Sequence, residues 1–420
     1  MCLLLTNNSP SIDTLSHLPP LPLAIDYLDR TRTLSWKDEV NIHLGLQQHN
    51  RIRQVSLRAP SSSLRMLLEL MNKPFPRLED LSLLSTTTEI GLVLPETLQA
   101  PSLCRLSLQG IGLPKGPSLL SSMSTLSTLS LTHIRESCYI APGHLVTQLQ
   151  GLPCLEELSI GFAIPIPLPS SEGELLPAPI PPVILPALRR LTFWGVGVYL
   201  DNLVAQIHTP RLEQLSLTLL FEIVFTLANL TEFIHRTEGL WCPVTQVIFN
   251  KDRVSIDAGH YEQWATGKAS FHVNINCESL DWQIDFATQV CRAFGNVLST
   301  VEELRVDLNV DGMQLDWENI LDNMLWHELL LPFIGVKKLH IGSSLTIGLS
   351  RTLESVAGGF VLELLPELQE LEVRVEIDRA WKSFSGFVET RESIGRPVHL
   401  FSYQQGSPEV RAPSPIISAC

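Results

Sequence analysis

The phrase PRLEDLSL (Pro76–Leu83) returns as PRLEQLSL (Pro210–Leu217), changed at one position more than a hundred residues later. Aligned on Leu78-x-x-Leu81-x-Leu83, the spacing recurs along the chain. It is met at Ile52/Val55/Leu57, Leu103/Leu106/Leu108, Leu126/Leu129/Leu131, Leu155/Leu158/Ile160, Leu188/Leu191/Phe193 and Leu212/Leu215/Leu217. It continues at Val244/Val247/Phe249, Val301/Leu304/Val306, Val336/Leu339/Ile341 and Leu368/Leu371/Val373. A weaker candidate, SFHVNI around Val273, fills the gap between Val247 and Leu304. The step is about 29 residues, within the leucine-rich-repeat range. One strand and one returning segment cannot cover their own apolar faces, whereas stacked copies bury a continuous core. The predicted fold is therefore α/β: a leucine-rich-repeat-like solenoid with a parallel sheet on the concave side and irregular helices on the convex side.

Segments between the strands carry apolar residues at helical spacing, among them SSLRMLLELMNK (Ser62–Lys73), DWQIDFATQVCRAFGNVL (Asp281–Leu298) and SRTLESVAGGFVLELL (Ser350–Leu365). Several strands open after a proline, whose fixed φ ends a helix and turns the chain. The expected organisation is a disordered segment over 1–19, one irregular solenoid over 20–400 and a disordered tail over 401–420. Within the solenoid, 163–186 is too rich in proline for a helix or a central strand and reads as an extended insertion.

A 420-residue chain that is 45% hydrophobic can bury a large core. Its net charge of −14, with no basic stripe, argues against nucleic acid as a partner. No segment has the roughly 18 uninterrupted apolar residues of a membrane helix. The eight cysteines show no C-x-x-C pair, which fits reduced packing thiols and a cytoplasmic or nuclear setting.

The residues also resemble a family, the F-box and leucine-rich-repeat proteins of mushroom-forming fungi. The resemblance runs from LPPLPLAIDYLD (Leu18–Asp29) through the stretch Asp38–Ser85. It continues in LWHELLLPFIGVKKLHIG (Leu325–Gly342), LLPELQELEV (Leu364–Val373) and FSGFVETRESIGRPVHL (Phe384–Leu400). It implies the substrate-recognition half of a Skp1–cullin–F-box ubiquitin ligase receptor, with the repeats holding an unknown protein target. The F-box itself is not recognisable: LSHLPPLPLAIDYLD has prolines where its helix should run, so it reads as the lead-in to the first repeat. A Skp1-type adaptor enters only if an F-box is supplied. The alternative is a stand-alone repeat scaffold with no ubiquitin role.

If the leucines face the core, the residues between them face the open side. That middle column reads Ser56, Ser82, Ser107, Ser130, Ser159, Thr192, Ser216, Ile248, Asn274, Arg305, His340 and Glu372. The preceding column runs Gln54, Asp80, Arg105, Thr128, Glu157, Arg190, Gln214, Gln246, His272, Glu303, Lys338 and Glu370. The candidate binding residues are Arg105, Glu157, Arg190, Trp194, Glu303, Arg305, Lys338, His340, Glu370 and Glu372. Trp194 is the aromatic anchor among them.

Catalytic signatures are weak. HELLL at His327 has Leu331 where a second zinc ligand would stand, and phosphate-binding and nucleophile-elbow motifs are absent. No enzyme activity, cofactor or resident metal is expected. One motif competes: Asp307, Asn309, Asp311, Gly312 and Glu318 match the spacing of a calcium-binding loop, an Asp307–Glu318 alternative to the solvated acidic turn.

Overall fold

The computed structural model describes residues 3–6, 21–28, 35–87, 91–114, 118–163, 182–220, 227–237, 240, 244–259, 270–277, 280–309, 323–355, 364–404 and 407–410. The chain divides into two compact units, Met1–Glu213 and Gln214–Cys420.

In the N-terminal unit the strands are β1 (Leu3–Leu5), β2 (Leu23–Tyr27), β3 (Ile52–Ala59), β4 (Asp80–Ser85), β5 (Arg105–Gln109), β6 (Thr128–Ile134), β7 (Glu157–Phe162), β8 (Val183–Ile184), β9 (Arg190–Gly195) and β10 (Ile207–His208). Strands β1 to β7 and then β9 lie side by side in chain order, every pair parallel. The short β8 and β10 form their own parallel pair. The repeated phrase is thus one rung of this ladder. Leu78, Leu81, Leu83, Leu103, Leu106, Leu108, Leu126, Leu129, Leu131, Leu155, Leu158 and Ile160 are all buried.

Helices cover that leucine face. Trp36–Gln47 starts at a capping box: Ser35 Oγ accepts from Asp38 N at 3.3 Å, and Asp38 Oδ2 accepts from Ser35 N at 2.9 Å. Ser61–Leu70 follows Pro60, and Pro142–Leu149 begins on a proline that needs no N–H partner. Gly197–Val204 completes the described layer before β10.

The C-terminal unit is less regular. Its strands are β11 (Gln214–Leu219), β12 (Val244–Asn250), β13 (Arg253–Gly259), β14 (Phe271–Asn276), β15 (Glu303–Asn309), β16 (Lys338–Ile341), β17 (Glu370–Val373), β18 (His399–Gln404) and β19 (Ser407–Val410). The spatial order is β11-β14-β13-β12-β15-β16-β17-β18-β19. Strand β13 is antiparallel to both β12 and β14, and β19 is antiparallel to β18; the other pairs are parallel.

This order corrects the simple ladder. The Val273 strand does not stand between Val247 and Leu304; β12 and β14 have exchanged places around β13, a strand that the spacing of triplets does not reveal. Its signal was the alternation Val254-x-Ile256-x-Ala258 after the Lys251-Asp252 turn, all three apolar residues buried. Helix Leu280–Ala293 then carries the chain back over this hairpin pair to β15. Its Gln283 donates to Asn250 O at 2.8 Å and Cys277 O at 2.7 Å, tying the turn of the β12–β13 hairpin to the end of β14.

Helices Asn323–Leu330, Thr346–Ser355 and Ile377–Ser393 alternate with the remaining parallel strands. Trp326 is fully buried with its ring edge-on to Phe249, centroids 5.5 Å apart. The last helix ends in a Schellman motif: Arg396 N donates to Arg391 O, Gly395 N donates to Glu392 O, and Gly395 takes a φ of +76° that a side chain would oppose.

The terminal boundaries also move. Leu3–Leu5, inside the segment expected to be disordered, is a strand paired with Leu23–Ile25. Phe401–Gln404 and Ser407–Val410 are strands within the expected tail. Leu23–Tyr27, the heart of the F-box-like stretch, is strand β2. Val183–Ile184 is a strand within the proline-rich insertion, whose residues 164–181 lie outside the described residues.

Candidate functional site

In both units the strand residues between the buried leucines form the open face of the sheet. In the N-terminal unit their register is as the sequence predicts. One row pairs Gln54 with Asp80, Arg105, Thr128, Glu157 and Arg190 in turn, and the next pairs Ser56 with Ser82, Ser107, Ser130, Ser159 and Thr192. Neighbouring positions are about 4.8 Å apart. Ser56 is buried and accepts from Gln54 Nε2 at 3.2 Å, so the accessible hydroxyl row begins at Ser82.

The charges of this face neutralise one another across strands. Arg105 meets Asp80 at 2.8 Å, and Arg190 meets Glu157. Each pair is substantially exposed, so it orders the surface more than it stabilises the unit. Trp194 projects onto the same face with 37% exposure, flanked by Gly161, its partner in the β7–β9 register. His133 meets it edge-on, ring centroids 6.0 Å apart. His133 holds a left-handed φ of +53°, at the irregularity where β6 departs from its register with β7. Sequence spacing alone gives no sign of that bulge.

The C-terminal unit keeps the face but shifts the column. Ser216 lies opposite His272, and Gln246 opposite Arg305, each displaced by two residues from the spacing-based alignment. A shift of two preserves which side chains face outward, because strand side chains alternate with period two. One outward row therefore runs Ser216–His272–Asp257–Gln246–Arg305–His340–Glu372. The adjoining row carries Glu303, Lys338 and Glu370, with His399 after them.

Here the predicted residues do come together. Arg305 grips Glu303 at 2.6 Å; His340 Nε2 stands 2.9 Å from Glu303 and its Nδ1 3.1 Å from Glu372. The Nε2 atom is close to the Glu303 carboxylate without being aligned on it as a hydrogen bond. Lys338 serves two carboxylates, Glu370 at 3.3 Å and Glu372 at 3.6 Å. The contact with His340, reinforced by Arg305 against partial burial, holds the Glu303 carboxyl down to about 2.

Two further pairs complete the face: His272 with Asp257, and Arg374 with Asp307 at 3.1 Å. Asp257 was missed with its strand. Arg105, Glu157, Arg190 and Trp194 belong to the N-terminal unit, and the other six predicted residues to the C-terminal one.

Asp307, first residue of the calcium-loop pattern, lies on β15 and is occupied by Arg374; Asp311, Gly312 and Glu318 lie outside the described residues. Among the described residues no group of three His, Cys, Asp or Glu is placed to hold a metal ion. The five described cysteines are free, and no described helix is long and apolar enough to cross a membrane.

No family model matches the chain, and no curated protein does. Among solved structures it is similar to TLR13 in its complex with ssRNA13, at 14% identity and a TM-score of 0.38 over 90% of this chain. That match spans about half of the TLR13 chain, 47%. It is also similar to LegL7 from Legionella pneumophila, a leucine-rich repeat-containing protein, at 11% identity and a TM-score of 0.27, covering 92% of this chain and 98% of that one. The repeat character of this chain stands on its own register and buried leucines.

Proposed function

We propose that this chain is a non-catalytic, protein-binding leucine-rich-repeat scaffold whose open sheet faces receive the partner. The observation that supports this reading most is the division of every regular rung into a buried leucine side and an outward polar side, in register over β3 to β9. A low row from Ser82 to Thr192 leaves room for another chain, Trp194 offers an aromatic anchor, and cross-strand ion pairs fix the orientation of Arg105 and Arg190. Resemblance to the F-box and leucine-rich-repeat proteins of mushroom-forming fungi extends the reading to the recognition half of a ubiquitin ligase receptor.

A photo-crosslinking residue placed at Ser130 on the sheet should join a protein target, and the same residue at Met66, exposed on the helical side, should not. With the crosslinking residue kept at position 130, Ser159→Trp on the neighbouring strand should abolish the adduct without changing the unfolding midpoint. Equal labelling from both sides removes the sheet-face reading. Skp1 failing to bind even when an F-box is supplied in trans removes the ligase role and leaves the stand-alone scaffold.

A further inference from the structure

We propose that Ser216, His272 and Asp257 are a nucleophile, its base and an orienting carboxylate on the open face of the C-terminal unit, and that Ser216 takes an acyl group from an activated ester. The inference goes beyond the scaffold reading and leaves it intact: the chain is a reactant that is modified once.

The three side chains stand in one outward row on consecutive strands. Ser216 on β11 lies opposite His272 on β14, and His272 lies opposite Asp257 on β13. His272 Nδ1 donates to Asp257 Oδ1. A carboxylate only accepts, so the proton of the neutral ring belongs on Nδ1 and its lone pair on Nε2. Nε2 is the nitrogen remote from Asp257, and β11 is the strand on that side of β14. The His272 and Asp257 side chains are 32% and 25% exposed, so a small ester can reach them. Ser216 is half-buried.

The Asp257–His272 half of the arrangement is formed, and the Ser216–His272 half is open. Paired strands run about 4.8 Å apart, and the staggered χ1 positions of a serine swing Oγ across that gap. Such hydrogen bonds commonly tighten only when substrate is bound. A donor for the developing oxyanion stands on the same strand as the base. Asn274, two residues after His272 and on the same face, accepts from Ser255 Oγ through Oδ1 at 3.5 Å, which turns its Nδ2 away from β13. Its register partner on β11 is Thr218, and Ser216 lies diagonally from it.

As Ser216 Oγ attacks the ester carbonyl, a new C–O bond forms, His272 Nε2 takes the hydroxyl proton, and Asp257 stabilises the resulting imidazolium. Asn274 Nδ2 donates to the tetrahedral oxyanion. Collapse of that intermediate breaks the bond to the leaving alcohol, which receives the proton from His272, so the ester is the only co-reactant. The regular serine row lacks this setting. Ser107, for example, stands between Ser82 and Ser130, with a hydroxyl on either side where Ser216 has an imidazole.

The test exposes the full chain to 4-nitrophenyl acetate and follows acetylation of individual serines by peptide mass mapping. In the unsubstituted chain Ser216 should be acetylated roughly a hundredfold faster than Ser107, the lower end of what a positioned base contributes and a comparison that needs no variant to fold. His272→Gln and Asp257→Asn should each bring the Ser216 rate down towards that of Ser107, with unfolding midpoints measured alongside to show that each variant is folded. Asn274→Ala should slow Ser216 severalfold. Equal acetylation of Ser216 and Ser107, or a preference for Ser216 that persists in folded His272→Gln, overturns the proposal. Crosslinking of a protein target from position 130 would stand after either result, so failure of this inference is distinguishable from failure of the scaffold reading.

Discussion

Gly342 lies directly beneath Asp307: a Cβ built on the glycine would collide with Asp307 Oδ1 and sit 2.9 Å from its Cγ. The missing side chain is what lets the Asp307 carboxylate fold over the end of β16, where Oδ1 accepts from Leu308 N at 2.8 Å and Oδ2 meets Arg374. Gly342→Ala must displace that carboxylate. The expected cost is about 1–3 kcal/mol, the range for an overpacked site. Urea unfolding measures it, and Asp307→Ala in the same background should recover part of the loss. Full stability in Gly342→Ala alone would contradict the close approach.

The two sides of a rung should respond differently to mutation. Leu106 is fully buried between the sheet and its helices, and Leu106→Ala is expected to cost about 2–5 kcal/mol through lost burial and an unfilled cavity. Ser107, the next residue, faces outward and is half-buried. Ser107→Ala should stay within about 0.5 kcal/mol. Chemical denaturation of the two variants compares them directly, and similar losses would mean that the faces have been misassigned.

The regular rungs were legible because a parallel strand buried on one face writes its pattern with period two, and the triplet Leu81/Leu83 to Leu106/Leu108 repeats that pattern with fixed spacing. The outward placement of Arg105, Trp194, Lys338 and His340 followed from the same parity. The exchange of β12 and β14 was not legible, since spacing records order along the chain, and β13 carries Val254 and Ile256 without a leucine triplet. With it went the register of His272 and the pairing with Asp257. Nor does spacing show the left-handed residue His133, or that Glu303 and Glu372 converge on one imidazole; both depend on side chains of strands separated by whole helices.

Acid should loosen the C-terminal unit through Glu303. Its ordinary value of 4.5 is lowered to about 2 in the folded chain, mainly by His340 and then by Arg305. A lowered carboxyl value means that the unfolded state binds the proton first. Its contribution is therefore complete above pH 4.5 and is lost as pH falls towards 2. Glu303→Gln should be less stable than the unsubstituted chain at neutral pH, and the difference should close over that window. Urea midpoints collected from pH 7 downwards test this, and a constant difference would show that Glu303 acts through packing alone.

Arg391 offers a separate test, of what a buried charge contributes. It is 1% exposed within helix Ile377–Ser393, and its Nη2 donates to Pro366 O at 3.1 Å and Leu368 O at 3.0 Å, holding the turn that leads into β17. Arg396 reaches the same Pro366 carbonyl at 3.1 Å, and Leu365 beside it has a left-handed φ of +49°. Burial, with Arg396 adding, lowers the Arg391 pKa, and neither Nε nor Nη1 has a hydrogen-bond partner. Arg391→Ala would leave a cavity and deprive Leu368 O of this donor, for an expected loss of roughly 3 kcal/mol or more. Arg391→Met fills most of the volume and also removes the unpaired nitrogens. It should therefore recover about 1–2 kcal/mol of that loss, since a buried charge is costly where its donors go unused. Urea unfolding followed by Trp381 fluorescence on the same helix resolves the two variants. If Met proves as damaging as Ala, the two carbonyl hydrogen bonds outweigh both volume and desolvation, and the guanidinium is the fastening of that turn.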